Sequence, residues 1–491
     1  RIRVNTDLFA LLDSRLRLDK VSVSGLNGNV HNTQDDESFN YQFIIDAFSS
    51  GSTDNKSDTT GSFTFEIGEV EITSSRGKYY DHFHGILADA DIGELIAEAE
   101  TFNLDSPYIN VSYLALRNTR SRVEILQGNP YPEDTTSSGQ PFNLGGEYAE
   151  ILNTDFSLFV ESAGLRMSTH VGQLMVEVDT LDINKQVYLG KNVVLTKSDV
   201  TMDFYDSDGG ETSADTVLSR EEDEPFLLIA GTERVEFGDN DFRLTDHTVQ
   251  PSPGFDPARI NLHDIQFSGK NLRMEDLFME GTLSRLHAEP EDGPALVRGD
   301  VSFKYGPHEA FLKDLILETE NSHFRLSAEA SYPDTSALMS LSDDVSLSLS
   351  IDDGSLFLED LFYFLPDLRQ SMADLPGSSL SVSGVAAGTL AEINLNSFQA
   401  AIGGGMLRLS NARIRNVVNP REIGFLIPEI EIEAESSLIS HYLGDSVMNS
   451  YNLPDRIQAN SSLSGKIDNF NLESRVTSAM GNIEAWVDFQ M

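Results

Sequence analysis

The chain has 491 residues, 40% of them hydrophobic, and its 34 basic and 79 acidic side chains give a formal net charge of −45. A charge of this sign repels the phosphates of nucleic acids and the anionic surface of a bilayer, and the absence of cysteine excludes disulfides and thiolate sites. The length exceeds the ~250–300 residues that one hydrophobic core usually organises, so we expect several domains or a core that extends along one axis.

The predicted elements are mostly β-strands in which the alternation of apolar residues is interrupted in a recurring way. The first instance is Leu16, Leu18, Val21 and Val23, two alternating pairs separated by two residues. The same spacing returns at 65–72, 176–183, 260–267, 272–279 and 310–317, and shorter versions occur at 390–395 and 467–472. These eight irregularly spaced copies indicate a repeating β architecture.

The two residues inserted at each interruption are small or charged, for example Asp19-Lys20 and Lys313-Asp314. In a flat strand, one extra residue would turn the following apolar residues to the opposite face. A β-bulge or a bend absorbs the extra residue and keeps all of them on one face. We therefore predict an elongated, twisted, open β-groove of repeated bent strands, with an apolar concave side. The residues predicted to line the groove are Val21, Val23, Val70, Ile72, Leu181, Ile183, Ile265, Phe267, Leu315, Leu317, Ile393, Leu395, Phe470 and Leu472.

Helical signal is confined to two short segments. Residues 355–377 place apolar side chains at helical spacing as far as Pro366, and residues 436–452 form a second candidate, closed by Pro454. Turn residues without periodicity predict long loops, one of them at 206–224. The predicted organisation is a first groove segment (1–125), a loop (126–146), a second groove segment (147–354), a short helical insertion (355–377) and a third groove segment (378–491), all continuous.

The sequence carries few groups that suggest metal or cofactor chemistry. His82 and His84 are two apart, which on a strand would place both imidazoles on one face, but no third ligand is indicated. We interpret them as surface histidines. Asp206, Asp208 and Glu211 resemble a calcium loop without having the spacing of an EF-hand. The sequence therefore predicts no metal site and no cofactor.

Catalytic motifs are not found either. The glycines at 403–405 lack the lysine of a phosphate-binding loop and predict a tight turn or a close backbone approach. No G-x-S-x-G sequence is present, and no carboxylate pair stands out among the many acids, so we do not predict an enzyme. The only tryptophan, Trp486, alternates with Ala485 and Val487 and should face away from them, toward a partner or solvent.

Several segments together resemble one known family. They are FNYQFIIDAF (39–48), DINKQVYLGKNVVLTKSDV (182–200), RGDVSFKYGPHEAFLKDLILETENSHFRLSAEASYP (298–333) and LPDRIQANSSLSGKIDNFNLESRVTSAMGNIEA (453–485). In pattern, over essentially the whole chain, the sequence resembles TamB-like proteins of the Bacteroidota type. These are translocation and assembly module subunits of the AsmA-like superfamily.

The resemblance implies a bridge protein of the periplasm of a Gram-negative bacterium. Such a protein is anchored in the inner membrane by an N-terminal helix and meets an Omp85-type outer-membrane barrel through a C-terminal region. No run of about 18 apolar residues is present here, and the chain opens without a start methionine or signal peptide. We therefore interpret it as a fragment that lacks both contacts. The implied function is to carry phospholipid between the membranes and to support outer-membrane biogenesis and protein assembly.

The residues themselves favour the lipid part of this function. A bent sheet with an apolar concave side would expose more apolar area than a soluble monomer normally tolerates, and acyl chains could cover it. The alternative is a non-enzymatic, adhesin-like array of acidic β-sandwich domains. It predicts closed cores separated by linkers at the long loops.

Overall fold

The computed structural model describes residues 1–7, 15–35, 38–43, 64–102, 108–128, 143–182, 185–206, 228–276, 278–372, 377–419, 422–438 and 454–490. Strands account for 72% of the structure and helices for 6%, so the predicted mostly β fold is confirmed. The chain divides into two compact units. The first comprises Arg1–Pro251 and Pro257–Asp276, and the second comprises Ser252–Asp256 and Leu277–Met491. This division falls inside the predicted second groove segment, 147–354.

The first unit is an open, mixed sheet. Its described strands are β1 (Ile2–Asp7), β2 (Arg15–Ser24), β3 (Asn27–His31), β4 (Thr64–Asp81), β5 (Ile86–Phe102), β6 (Tyr108–Arg117), β7 (Arg120–Ile125), β8 (Asn143–Val160), β9 (Leu165–Asp182), β10 (Val187–Thr196), β11 (Asp199–Phe204), β12 (Ile229–Asp246) and β13 (Arg259–Glu275). Three pairs of short strands each lie parallel to one long strand: β2 and β3 to β4, β6 and β7 to β8, and β10 and β11 to β12. The other pairings are antiparallel.

Part of this unit repeats after 79 residues. β8 begins at Asn143 and β4 at Thr64, and the same offset separates β9 from β5, β10 from β6 and β11 from β7. The sequence carries the repeat in ELIAEAET (94–101) and QLMVEVDT (173–180). The interrupted strands do not indicate this repeat, because the interruptions themselves are irregularly spaced.

A line of backbone kinks crosses the first unit, and we call it the crease. Five residues on it have φ between 46° and 55°: Ser74, Asn118, Asn153, Lys197 and Asp239. The residue after each is buried: Ser75, Thr119, Thr154, Ser198 and Asn240. The four hydroxyl groups donate to the carbonyl oxygen two residues earlier, at 2.9–3.2 Å, which satisfies these buried polar groups.

Glycines occupy the crease on two of the intervening strands. A Cβ on Gly172 would lie 2.2 Å from the carbonyl oxygen of Lys197, and one on Gly93 would lie 2.4 Å from that of Asn118. At these two kinks the neighbouring strand therefore carries a glycine, because any larger residue would place its Cβ against the kinked backbone.

The second unit is an antiparallel meander in which each strand pairs with the next. Its described strands are β14 (Phe278–Pro290), β15 (Leu296–Tyr305), β16 (Glu309–Glu318), β17 (His323–Ser331), β18 (Ser346–Phe357), β19 (Ser379–Thr389), β20 (Glu392–Ile402), β21 (Gly405–Arg415), β22 (Gly424–Glu435), β23 (Arg456–Lys466), β24 (Asn469–Ser478) and β25 (Gly481–Gln490).

The interrupted copy at 310–317 is a bulged strand, as predicted. On β17 the alternation is unbroken, and its apolar residues Phe324, Leu326, Ala328 and Ala330 pair with Leu317, Leu315, Leu312 and Ala310 of β16. All four residues of β16 therefore share one face. The extra residue is Asp314, with a φ of 51°, whose N–H donates to the Ser327 hydroxyl at 3.1 Å.

The prediction holds for some of the other copies and is wrong for three. The register also breaks at Asp19, Asp179 and Asp264, and Gly68 is skipped opposite Asp19. The remaining inserted pairs lie where a strand ends or begins: Glu275-Asp276 at the end of β13, Ala391-Glu392 at the start of β20 and Asp468-Asn469 at the start of β24. A tight turn also places two polar residues between two alternating runs, so spacing alone cannot separate it from a bulge.

The helices are short. In the described part of the chain they include α1 (Thr335–Met339), α2 (Leu358–Phe364) and α3 (Arg369–Met372), with a 3₁₀ helix at Pro366–Leu368. The predicted helical insertion is thus present, although β18 extends into it as far as Phe357 and Pro366 ends α2. Of the second predicted helix, residues 436–438 are helical and 439–452 lie outside the described residues. Helix α1 was not predicted; the Asp334 side chain accepts from the Ala337 N–H at its start.

Candidate functional site

One face of the first unit is apolar along rows that run across the strands. Residues paired directly on neighbouring strands point to the same face. In spatial order, one row is Ile2, Val23, Ile72, Leu95, Leu116, Ile151, Leu174, Leu195, Phe237 and Phe267, and the next is Val4, Val21, Val70, Ala97, Leu114, Ala149, Val176, Val193, Val235 and Gly269. Ten strands spaced ~4.8 Å apart extend each row over roughly 40 Å.

The apolar rows continue beyond the crease. A further row, near the other end of the strands, is Val30, Tyr79, Ala88, Val123, Leu158, Met167, Met202, Leu244 and Ile260. Because the kink adds a residue to each strand it crosses, the alternation resumes on the same face.

The second unit has the same arrangement over all twelve of its described strands. One row is Leu286, Gly299, Leu317, Phe324, Gly354, Val382, Ala400, Leu407, Ile432, Ala459, Val476 and Ile483. Another is Met279, Tyr305, Ala310, Ala330, Leu347, Gly388, Ile393, Ile414, Phe425, Gly465, Phe470 and Phe489. We call the side of each unit that carries these rows its apolar face.

The apolar faces are open to solvent. Only nine hydrophobic side chains in the described part of the chain are buried, and just one of them, Val235, belongs to these rows. In the second unit Leu317 is 36% exposed, Ile432 40% and Ile483 66%. Most other row residues are half-buried by their neighbours in the sheet. Each unit therefore presents a broad accessible apolar surface.

The opposite face carries many of the charges. Lys20 bridges Glu69 and Glu71, each at 2.8 Å, and hydrogen bonds to these carboxylates raise the pKa of Lys20 above its usual range. Arg117 donates to Glu150 at 2.8 Å and to Glu94 at 2.7 Å. We call this side of each unit its polar face. The ion pairs of the polar face are half-exposed, so they contribute little to folding stability and mainly favour one register between neighbouring strands.

Thirteen of the fourteen predicted lining residues are described, and most fall on the rows. Val23, Ile72 and Phe267 belong to one row of the first unit and Val21 and Val70 to the next. Leu317, Ile393 and Phe470 belong to the two rows of the second unit. All thirteen are half-buried except Leu317, which is exposed.

The other candidates lie between or beside these rows. Leu315 pairs with Leu326, Leu395 with Ala386, Leu472 with Val487, Leu181 with Tyr188 and Ile265 with Asn240. Ile183 lies outside the described residues. The interrupted pattern does not identify the row residues on uninterrupted strands such as HFRLSAEA (323–330). The simple alternation of apolar and polar residues in these strands would have predicted them.

The interpretation of the histidine pair as surface residues is correct for His82 and wrong for His84. Residues 82–85 form a turn, His82 is exposed and His84 is buried, so the two do not share a surface. The His84 Nδ1 lies 2.8 Å from Asp81 Oδ2, and Asn32 donates to Asp81 Oδ1 at 2.7 Å. Asp81, Asn32 and His84 thus form a buried polar cluster at one edge of the sheet, which we assign a structural role.

This cluster should make stability depend on pH. Burial by itself would raise the pKa of Asp81, but the hydrogen bonds from Asn32 and His84 outweigh it and lower that pKa. The ionised form therefore stabilises the fold above pH ~4, and this contribution is lost as the pH falls through the folded-state pKa. Replacing Asp81→Asn should lower the free energy of unfolding at pH 7 by about 2–3 kcal/mol. Urea unfolding between pH 7 and 3 should show a flatter pH dependence for the variant, whereas replacement of the exposed Asp353→Asn should change neither quantity appreciably.

The remaining motifs are simpler to place. Gly403 and Gly404 form the turn between β20 and β21 with φ values of 53° and 80°, as the tight-turn interpretation predicts. Asp208 and Glu211 lie outside the described residues. Within either unit, the described His, Asp and Glu side chains do not converge in threes around a common metal position. No helix in the described part of the chain is long and apolar enough to cross a membrane.

The chain was compared with protein-family models, with curated proteins and with solved structures. None of these comparisons gave a match. The geometry of the two faces is therefore the basis for a functional conclusion.

Proposed function

We propose that the chain is a lipid-carrying segment of a periplasmic bridge protein, whose apolar faces hold phospholipid acyl chains between the inner and outer membranes. In the full-length protein an N-terminal helix in the inner membrane and an Omp85-type barrel at the outer membrane would be its contacts. The observation that carries this proposal is the set of apolar rows, which cross every strand of the second unit and remain accessible to solvent.

An apolar surface of this size needs a cover. Soluble monomers rarely expose contiguous apolar patches larger than a few hundred Å². Acyl chains are a suitable cover because each buried CH₂ contributes ~0.8 kcal/mol and makes no directional demand on the surface. A row without a break also lets a lipid slide from strand to strand without crossing a charge. Such a role requires no catalytic residue.

Closed β-sandwich domains are less consistent with the same observations. A sandwich packs two sheets face to face and buries the inward residues of both. Leu317, Ile432 and Ile483 lie on the apolar face, which a sandwich would bury, yet they are among the more exposed hydrophobic side chains of the described chain. We therefore favour the carrier over the adhesin-like array.

Bound lipid can be detected by mass spectrometry and located with a photo-crosslinking residue. A crosslinker at Leu315 should capture acyl chains, because Leu315 lies on the apolar face. A crosslinker at the next residue, Ile316, is the matched control, since Ile316 pairs with Asp300 and Arg325 and points to the polar face. Lipid-free protein, or equal capture at both positions, would leave scaffolding as the better account.

A further inference from the structure

One residue breaks the pattern of the polar face at β25. The side chains of this strand that point to the polar face are Asn482, Glu484, Trp486, Asp488 and Gln490. Four of these are polar, whereas the only tryptophan of the chain occupies the middle position and is 69% exposed. The sequence correctly predicted that Trp486 faces away from Ala485 and Val487. The proposed lipid function makes no use of this side chain.

Hydrogen-bonding groups lie on the strands next to the indole. Trp486 pairs directly with Glu473, which in turn pairs with Ser462. The adjacent polar line consists of Asn460, Arg475 and Glu484, in which Arg475 donates to Glu484 at 2.7 Å. Directly paired side chains start only ~5 Å apart, so Glu473 lies beside the indole, whereas Ser462 and Asn460 lie one strand further away, at roughly 10 Å.

An open hollow of ≈430 Å³ lies over this part of the sheet. Its lining includes all six of these residues, together with Glu429. The hollow therefore combines one apolar aromatic surface with carboxylate, amide and hydroxyl groups.

The chemistry of the lining selects the kind of ligand. Carboxylates only accept hydrogen bonds, so Glu473 favours a ligand that donates, while Glu484 already accepts from Arg475. Three carboxylates against one arginine disfavour an anion, and an acyl chain would remove these charged groups from water. A neutral pyranose has an apolar C–H side that can stack on an indole and hydroxyl groups around its rim that can donate to carboxylates.

We propose that the polar face at β23–β25 is a saccharide-binding site for neutral pyranose oligosaccharides. A sugar ring stacks on Trp486, and Glu473, Asn460 and Ser462 bind its hydroxyl groups. The site is independent of the apolar face, so it can be tested whether or not the chain carries lipid.

The single tryptophan makes the test direct. Its fluorescence reports on residue 486 alone, and titration of the whole chain with N-acetylglucosamine hexamer or cellohexaose should change the emission in a saturable way. Calorimetry with the same two probes should then show about tenfold weaker binding for Trp486→Ala, since an aromatic stacking contact has this magnitude. Glu473→Gln should weaken binding several-fold while Trp486 still reports it.

The matched control is Ile483→Ala. This residue lies on the same strand and is 66% exposed, but it points to the apolar face, so its replacement should leave sugar affinity unchanged. Absence of any saturable change with either hexamer would overturn the proposal. Undiminished binding by Trp486→Ala, or a response of Trp486 to phosphatidylglycerol vesicles instead of sugar, would also overturn it.

Discussion

Replacing Ile393 or Leu317 with aspartate should lower the lipid carried by the chain by at least about tenfold, because an ionised side chain among acyl chains carries a desolvation cost of several kcal/mol. Both residues lie on rows of the second unit that are apolar on all twelve strands. A charge on any one strand therefore interrupts the whole row. In the full-length protein the same variants should block traffic to the outer membrane.

The sign of the charge should not matter. Leu317→Arg should act like Leu317→Asp, since the effect comes from desolvation and not from attraction or repulsion of a head group. The matched control is Asn394→Asp, which adds the same charge one residue from Ile393 but on the polar face, where Asn394 pairs with Arg413. Lipid is measured by mass spectrometry of the purified chain, and circular dichroism verifies the fold.

Two outcomes would contradict the proposed carrier function. One is a normal lipid content in folded Ile393→Asp and Leu317→Asp chains. The other is an equal loss of lipid in the Asn394→Asp control, which would indicate an effect of net charge and not of the apolar face. Leu317 is 36% exposed, and urea unfolding of both variants beside the unchanged chain keeps binding and folding effects separable.

Replacing Gly172 with alanine should destabilise the first unit by about 2–3 kcal/mol. The added Cβ would lie 2.2 Å from the carbonyl oxygen and 2.8 Å from the Cβ of Lys197, so the crease must shift to admit it. Gly93→Ala should have a similar effect, because Gly93 holds the equivalent position 79 residues earlier and meets the Asn118 carbonyl oxygen at 2.4 Å. Urea unfolding followed by circular dichroism measures both.

Gly77→Ala is the control for this experiment. Gly77 lies in β4, and an added Cβ there would meet no atom within 4 Å. Alanine at such a position reduces the freedom of the unfolded chain and should be neutral or stabilising by up to about 1 kcal/mol. Equal effects of Gly172→Ala and Gly77→Ala would show that the crease tolerates a side chain and that its glycines serve no packing purpose.

Much of the local structure could be predicted from the sequence. Alternation identified the strands, and the interrupted copy at 310–317 was correctly interpreted as one bulged strand. The face of Trp486 and the turn at Gly403-Gly404 followed from equally local rules. The 79-residue repeat is also visible in the sequence, as the similarity of ELIAEAET and QLMVEVDT, but the interrupted spacing does not predict it.

Tertiary structure decided what depends on partners distant in sequence. Asp468-Asn469 and Lys313-Asp314 have the same spacing, yet the first lies at a tight turn and the second in a bulge, because only strand pairing determines whether the chain reverses. Burial of His84 depends on Asn32, more than fifty residues away, and no local pattern predicts that contact.

Alternation along the chain is enough to predict a β fold in which one side of each strand is apolar. Only the register between strands decided that these sides join into unbroken rows, in which Val23, Ile72 and Leu95 lie side by side although they are far apart in the chain. The physical reason is that alternation is a property of one strand, whereas a continuous surface is a property of many hydrogen-bonded strands together.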